Sequence, residues 1–211
     1  MERRICQRQR MIFRPAYLST GSGLFYVVMR NVSSDGASFS GLAGLQQGEG
    51  VTYFVGTSGP VDAIVRWASG GSFGVQNAVR LEDLAGCDPE FPYRSVRIPL
   101  VTEVRLYRRG SGTPATLYNF SQGGACVASS AQLAVGELVT LKLAGLVVEA
   151  AEIKWISGRR AGVKFARSLG WQTMQVALGQ LQFRPAYGKE SPGDCGIPAA
   201  GPAIEAVKVL R

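Results

Sequence analysis

Apolar residues along the chain come in short runs, separated by glycine, proline, serine and asparagine, a pattern of strands and turns. Residues 11–18 form a first run, and the Ser/Thr/Gly stretch 19–23 turns the chain into residues 24–29, rich in β-branched and aromatic side chains. Residues 31–36 break that run, 37–40 and 51–55 resume it, and after a turn at 56–60 another run fills 61–67. Residues 69–72 turn the chain once more, into 73–79. Nothing between these runs holds helical spacing for more than a turn or two, although residues 81–85 fit one helical turn. Short strands at this spacing predict an antiparallel barrel or sandwich and not a parallel βαβ sheet.

The succession then repeats. Adding 88 to the stretch Asn31-Val32-Ser33-Ser34-Asp35-Gly36 gives Asn119-Phe120-Ser121-Gln122-Gly123-Gly124, so Asn, Ser and Gly return in register. With the same offset Val51-Thr52 meets Val139-Thr140, Trp67 meets Trp155, and Gly74-Val75 meets Gly162-Val163. Solenoid units run to about 20–50 residues, so a period this long is a duplicated domain. The second copy is expected to place strands at 101–107, 116–118, 125–128, 138–143, 147–155 and 161–165. Prolines and a glycine in 86–92 exclude helix and central strand there, giving domains at 1–88 and 89–187 and a Gly/Pro/Ala-rich tail at 188–211. Within 169–183, Trp171, Met174, Ala177, Leu178 and Leu181 fall at helical spacing, which predicts an amphipathic helix packed on the second copy. Residues 203–211 fit a short terminal helix.

Composition narrows the chemistry. Histidine is absent, which removes Ser-His-Asp and Cys-His nucleophilic sites and nearly all zinc sites. Cys6, Cys87, Cys126 and Cys195 are scattered without a C-x-x-C pair, as expected of reduced thiols in a cytoplasmic protein. The N-terminus lacks the apolar run of a signal peptide, and no apolar window is long enough for a transmembrane segment. The Asn-x-Ser glycosylation patterns at Asn31 and Asn119 are therefore expected to be unused. There are no paired acidic metal ligands and no Gly-rich phosphate loop followed by Lys, so binding without catalysis, cofactor or metal is expected. A net charge of +8 favours an anionic partner.

Residues 2–10 carry Arg3, Arg4, Arg8 and Arg10 with hardly any apolar neighbours, as in an exposed arm; a merely solvated terminus has the same composition. Arg4 and Arg8 stand at R-x-x-x-R spacing. Arg offers a planar fork of donors to phosphate or to the O6/N7 edge of guanine, and its plane can stack on a base. In Asn31-x-Ser33-x-x-Gly36, Asn and Ser can bond nearby backbone and Gly can supply a φ > 0 position, which is also what a plain tight turn needs. An Arg arm facing such a turn would suit a guanine nucleotide carrying several phosphates.

The R-x-x-x-R arm, the N-x-S-x-x-G stretch, the later Gly-Pro-x-x-Ala-x-Val-x-Trp (59–67) and the closing Gly74-Val75 together resemble the PilZ domain, over residues 3–79 and again over 93–166. The resemblance implies an all-β chain of two tandem six-stranded antiparallel barrels, with the predicted helix after the second, binding the bacterial second messenger cyclic di-GMP. It makes Arg4 and Arg8 the arm of the first site and Asn31, Ser33 and Gly36 its pocket, with Arg10 and Arg3 as auxiliaries. In the second copy Arg97 matches the second arm position, and the first falls on Tyr93 with Arg94 beside it. Asn119, Ser121 and Gly124 are intact there. Tyr cannot chelate a phosphate, so that site is expected to be weaker or lost. The expected action is closure of the arm over the ligand, domain rearrangement and presentation of a surface to a downstream protein partner. The alternative is a nucleotide-independent PilZ-like interaction module, in motility or exopolysaccharide regulation. A barrel for nucleic acid polymers would draw on charge alone and lacks interleaved stacking aromatics.

Overall fold

The computed structural model describes residues 9–41, 44–56, 58–81, 95–143 and 145–182, with 9–12 through their backbone. Strands β1 (Gln9–Thr20), β2 (Gly23–Ser33), β3 (Gly36–Ser40), β4 (Gly50–Val55), β5 (Ser58–Ser69) and β6 (Ser72–Asn77) close into one antiparallel barrel in the order β1-β2-β3-β6-β5-β4. Strands β7 (Ile98–Arg108), β8 (Ser111–Ser121), β9 (Gly124–Ser129), β10 (Leu138–Leu143), β11 (Leu146–Ser157) and β12 (Arg160–Lys164) close into a second with the same order. Helix α1 (Trp171–Gln182) follows. The offset of 88 carries β2 onto β8, β4 onto β10 and β5 onto β11 at both ends.

Each barrel is filled by alternate residues, because successive side chains of a strand point to opposite faces. In β4, Val51, Tyr53 and Val55 point inward, and in β10, Val139, Leu141 and Leu143 do so. Phe39, Tyr53 and Phe73 pack at the centre of the first barrel, with ring centroids 5.1 and 5.2 Å apart for Phe39–Tyr53 and Phe39–Phe73.

The strands run further than the apolar pattern. Asn31 and Ser33 lie inside β2, because the hairpin needs only Ser34 and Asp35 to turn before Ser33 pairs with Gly36. Ser58 to Pro60, expected in a turn, already belong to β5. Gln9 and Arg10, expected in the arm, are the first residues of β1. The run expected at 116–118 is the middle of an eleven-residue strand that contains Pro114. The pairing with β9 begins only at Ala115, opposite Ser129, so the N–H that Pro114 lacks falls where no β9 residue is paired with it. The helical turn at 81–85 beyond Leu81, the junction and the 88/89 boundary, and the whole tail fall outside the described residues.

Helix α1 does more than cover the second barrel. Met174, Ala177, Leu178 and Leu181 join a core cluster with Ile98, Val104 and Leu106 of the second barrel and with Tyr17 and Tyr26 of the first. Strand β2 reaches beyond β3, whose pairing begins at Val28, and leaves Leu24 and Tyr26 on a free edge. Gln182 occupies that edge as a strand would: the Leu24 N–H donates to its Oε1 at 2.8 Å, and its Nε2 donates to the Leu24 carbonyl at 2.8 Å. Gln175 Nε2 donates to the Tyr26 carbonyl at 3.1 Å. In the second barrel the residue in the Tyr26 position is Pro114, which blunts the same edge without a helix.

The Tyr26 hydroxyl is buried in this contact with no hydrogen-bond partner among the described residues. Losing it removes an uncompensated desolvation cost of about 1–3 kcal/mol. Tyr26→Phe is therefore expected to raise stability by about 1 kcal/mol, read as a higher urea midpoint at unchanged slope; a lower midpoint contradicts this account of the contact.

Candidate functional site

Both barrels present the same corner. Ser33 Oγ donates to the Gly36 carbonyl at 3.2 Å, and Ser121 Oγ donates to the Gly124 carbonyl at 3.1 Å, closing the two hairpins alike. The turn carbonyls are tied to the segment after the last strand: Leu81 N–H donates to Ser34 at 2.9 Å, and Leu169 N–H donates to Gln122 at 2.8 Å. Asn77 N–H and Phe165 N–H likewise reach Asp35 and Gly123. Asn77 also receives the Tyr53 hydroxyl at 2.9 Å, which links the first turn to the barrel centre.

Gly36 and Gly124 have a different cause from the one the sequence suggested. Neither adopts a positive φ. A Cβ on Gly36 would run into the carbonyl oxygen of Val75, and one on Gly124 into that of Val163. Close approach of the neighbouring strand demands glycine here. Asn31, too, does not bond its own turn: its Nδ2 donates across the hairpin to Ser38 Oγ at 3.1 Å.

A hollow opens beside each corner. The first, about 190 Å³, takes in Asn31, Ser33, Gly36, Arg66 and Trp67. The second, about 500 Å³, takes in Arg97, Asn119, Ser121, Gly124, Lys154 and Lys164. Small-molecule pockets span about 300–1,000 Å³, a range that includes the second. Three of the predicted first-site residues, Asn31, Ser33 and Gly36, thus share one hollow. Arg10 pairs through its backbone with Asn31 at the start of β1, while Arg4 and Arg8 lie outside the described residues. Of the second set, Arg97, Asn119, Ser121 and Gly124 come together, and Arg94 lies outside the described residues.

Register clarifies the two arms. Gln9 pairs with Val32, and Ile98 pairs with Phe120, which is Val32 displaced by 88. The residues just before these are Arg8 and Arg97, so the two arginines hold equivalent chain positions. The one-residue discrepancy with the offset is absorbed by the bulges, which span Arg10 to Arg14 in β1 and Pro99 to Thr102 in β7.

Lys154, Lys164 and Cys126 lining the second hollow were missed in the sequence. Lys154 and Lys164 occupy the positions of Arg66 and Gln76, two residues linked in the first barrel by an Arg66 Nε bond to Gln76 Oε1 at 2.7 Å. Alternation along β11 and β12 would have placed both on the outer face, but not beside Asn119. Lys154 is paired with Glu152 at 2.6 Å, whereas Lys164 and Arg97 make no side-chain bond among the described residues. Among those residues no group of His, Cys, Asp and Glu could hold a metal ion, and no helix is long and apolar enough to cross a membrane.

Cys126 stands where the first copy has Ser38 and faces Asn119 across the hairpin. Burial pushes its thiol above the ordinary value, with Arg160 and Arg97 pulling the other way. A raised pKa leaves less thiolate at any given pH. In a Cys6→Ser/Cys87→Ser/Cys195→Ser chain, iodoacetamide is expected to label Cys126 more slowly at pH 8 than in the urea-unfolded chain, accelerating as pH rises. Equal rates in the two states would contradict a shielded thiol.

A tandem of closed six-stranded barrels, each with a hollow at a Ser-x-x-Gly hairpin and the second hollow lined by Arg97, Lys154 and Lys164, defines the class. Residues 93–176, a stretch that takes in the second barrel and the start of α1, match the family model of the PilZ domain. Similar solved structures include the Borreliella burgdorferi PlzA protein in complex with c-di-GMP, at 12% identity over 81% of this chain and 92% of that one, with a TM-score of 0.36. The Bacillus subtilis inhibitor of motility MotI/DgrA is 15% identical over 82% and 95%, with a TM-score of 0.32. Escherichia coli YcgR in complex with c-di-GMP is 16% identical over 81% and 82%, with a TM-score of 0.32. No curated protein matches the chain in sequence.

Proposed function

We propose that the chain is a cytoplasmic receptor for cyclic di-GMP that takes the dinucleotide at its repeated Asn-x-Ser-x-x-Gly corners and signals by moving one barrel against the other. The observation that carries this reading is the convergence of Arg97, Asn119, Ser121 and Gly124 on one hollow, within the stretch that matches the PilZ model. Arg97 is the phosphate and guanine-edge donor, since its fork suits both. The Asn119 amide meets guanine donors and acceptors, and the missing side chain at Gly124 lets the backbone corner close on the base. Lys154 and Lys164 add point charges for the phosphodiesters, so the second corner binds despite Tyr93 standing in the first arm position. At the first corner Arg4 and Arg8 act from the arm, with Arg10 where that arm joins the barrel opposite Asn31.

Domains at 1–88 and 89–187 with a tail at 188–211 accompany this proposal. The route of the signal is suggested by the ties of the turns. Gln122 is bonded to Leu169, which leads into α1, and α1 is bonded to β2 of the other barrel. Ligand that displaces a turn therefore pulls on a segment that joins the barrels, and a downstream protein would read the change. Calorimetric titration tests the receptor reading. Saturable binding is expected, and no heat at ligand concentrations on the order of tens of micromolar, with the barrels folded, would sink it.

One observation favours a second reading. Tyr93 in place of an arm arginine suits a nucleotide-independent module working through protein contacts. That reading expects partner capture to be unchanged by cyclic di-GMP.

A further inference from the structure

Because the barrels are duplicates, each face of one has a counterpart on the other, and one pair of faces differs in kind. In the first barrel Tyr26, Tyr17 and Phe54 stand side by side on β2, β1 and β4. Tyr17 and Phe54 stack with ring centroids 4.4 Å apart, and the row packs in one cluster with α1. The offset of 88 turns this row into Pro114, Arg105 and Lys142, again side by side on β8, β7 and β10. All three are exposed, and so is Val147, the next residue of the row on β11. Like charges directly opposite on neighbouring strands destabilise a sheet, whereas aromatic pairs stabilise it. The fold alone therefore gives no reason for Arg105 to face Lys142.

Beside the row the surface sinks into a hollow of about 380 Å³ lined by Tyr107, Arg109, Leu138 and Thr140. Tyr107 and Thr140 are opposed two residues along from Arg105 and Lys142, so hollow and charges share one face. Leu138, 63% exposed, gives that hollow an apolar side. Exposed Glu103 and Glu149 on β7 and β11 keep the positive surface short. A nucleic acid duplex carries a charge every 1.7 Å or so and is held by many cations in a track, which these glutamates interrupt. A short acidic stretch of protein fits better. Its carboxylates suit Arg105, Arg109 and Lys142, and one apolar side chain can anchor in the hollow.

We infer that this face of the second barrel, the counterpart of the one that meets α1 on the first, docks an acidic segment of another protein. The inference goes beyond the receptor reading, because it holds equally for a chain that takes no dinucleotide.

The test is fluorescence anisotropy of the full-length chain with a short labelled peptide of Asp and Glu around a central Leu. Saturable binding is expected, weakening as salt is added. Arg105→Glu/Lys142→Glu should reduce it roughly tenfold or more, with cooperative urea unfolding retained as the control for the fold. Arg105→Tyr/Lys142→Phe, which copies the first barrel's row, should also lose the peptide while raising the urea midpoint. The docking face is overturned if the acidic peptide does not bind, or if the folded charge-reversed chain binds it within about twofold of the parent. A Gln/Asn version of the peptide that binds as tightly overturns it too, as does a lower midpoint for the aromatic variant. So does a reversal that changes binding of duplex DNA or phosphatidylserine vesicles and not of the peptide. Peptide and dinucleotide binding are read separately, so either reading can fail alone.

Discussion

Arg97→Ala is expected to weaken cyclic di-GMP binding at the second barrel about thirtyfold, the largest loss from any single side chain there. Arg97 lines the hollow one residue before the first paired residue of β7, and no side chain among the described residues engages it. A charge-assisted, bidentate contact with phosphate is about twice as strong as a neutral hydrogen bond, and losing it costs about 2 kcal/mol. At about 1.4 kcal/mol per factor of ten, that is the thirtyfold figure. Arg97→Lys keeps the charge but not the fork and should fall between the two. Calorimetry reads this as loss of one of two binding events, with the first corner retained. Arg8→Ala should produce the mirror result, since Arg8 stands just before Gln9 as Arg97 stands just before Ile98. An Arg97→Ala chain that binds as tightly as its parent at both corners would remove Arg97 from the site.

Gly124→Val carries the largest expected effect on stability. Gly124 pairs with Ser121 across the hairpin and with Lys164 across to β12, and a Cβ there would strike the Val163 carbonyl oxygen. A backbone atom cannot swing aside like a flexible side chain, so β9 and β12 would have to separate locally. Overpacking of this kind costs about 3 kcal/mol, and Gly36→Val should cost as much against the Val75 carbonyl. The neighbouring Gly123 is an internal control: nothing lies within 4 Å of a Cβ built there, and its φ is not positive. Gly123→Ala should stay within about 0.5 kcal/mol of the parent. Thermal unfolding that ranks Gly123→Ala as equal to or worse than Gly124→Val would refute the close-approach explanation.

The strands were largely legible because alternation of apolar and polar residues is a local property. Val51, Tyr53 and Val55 announce β4 from sequence, as Val139, Leu141 and Leu143 announce β10. The duplication was legible as well, because one barrel order constrains both copies in the same way. Strand ends were harder to see. Asn31 and Ser33 look like turn formers, yet cross-strand pairing with Ser38 and Gly36 extends β2 right up to a two-residue turn. Gly36 was identified as special for the wrong reason, since φ freedom and close approach leave the same letter in a sequence. The α1 contact was only half visible. Helical spacing gave its apolar face, but nothing local says that Gln175 and Gln182 would meet β2 across 149 and 158 residues of chain. At the candidate site the motif residues were found through resemblance. Lys164 was not, because only the pairing of β12 with β9 brings it beside Gly124, and Cys126 was not, because it faces Asn119 only once β8 and β9 are paired beyond the turn.

Backbone amide NMR during titration with cyclic di-GMP addresses the central claim residue by residue. Shifts that saturate with the ligand are predicted at Ser33 and Gly36 and at Ser121 and Gly124, together with the indole signals of Trp67 and Trp155. Amides at the opposite hairpins, such as Gly21 and Gly110, should stay in place. A saturating ligand that leaves both Ser-x-x-Gly corners unmoved would contradict the account.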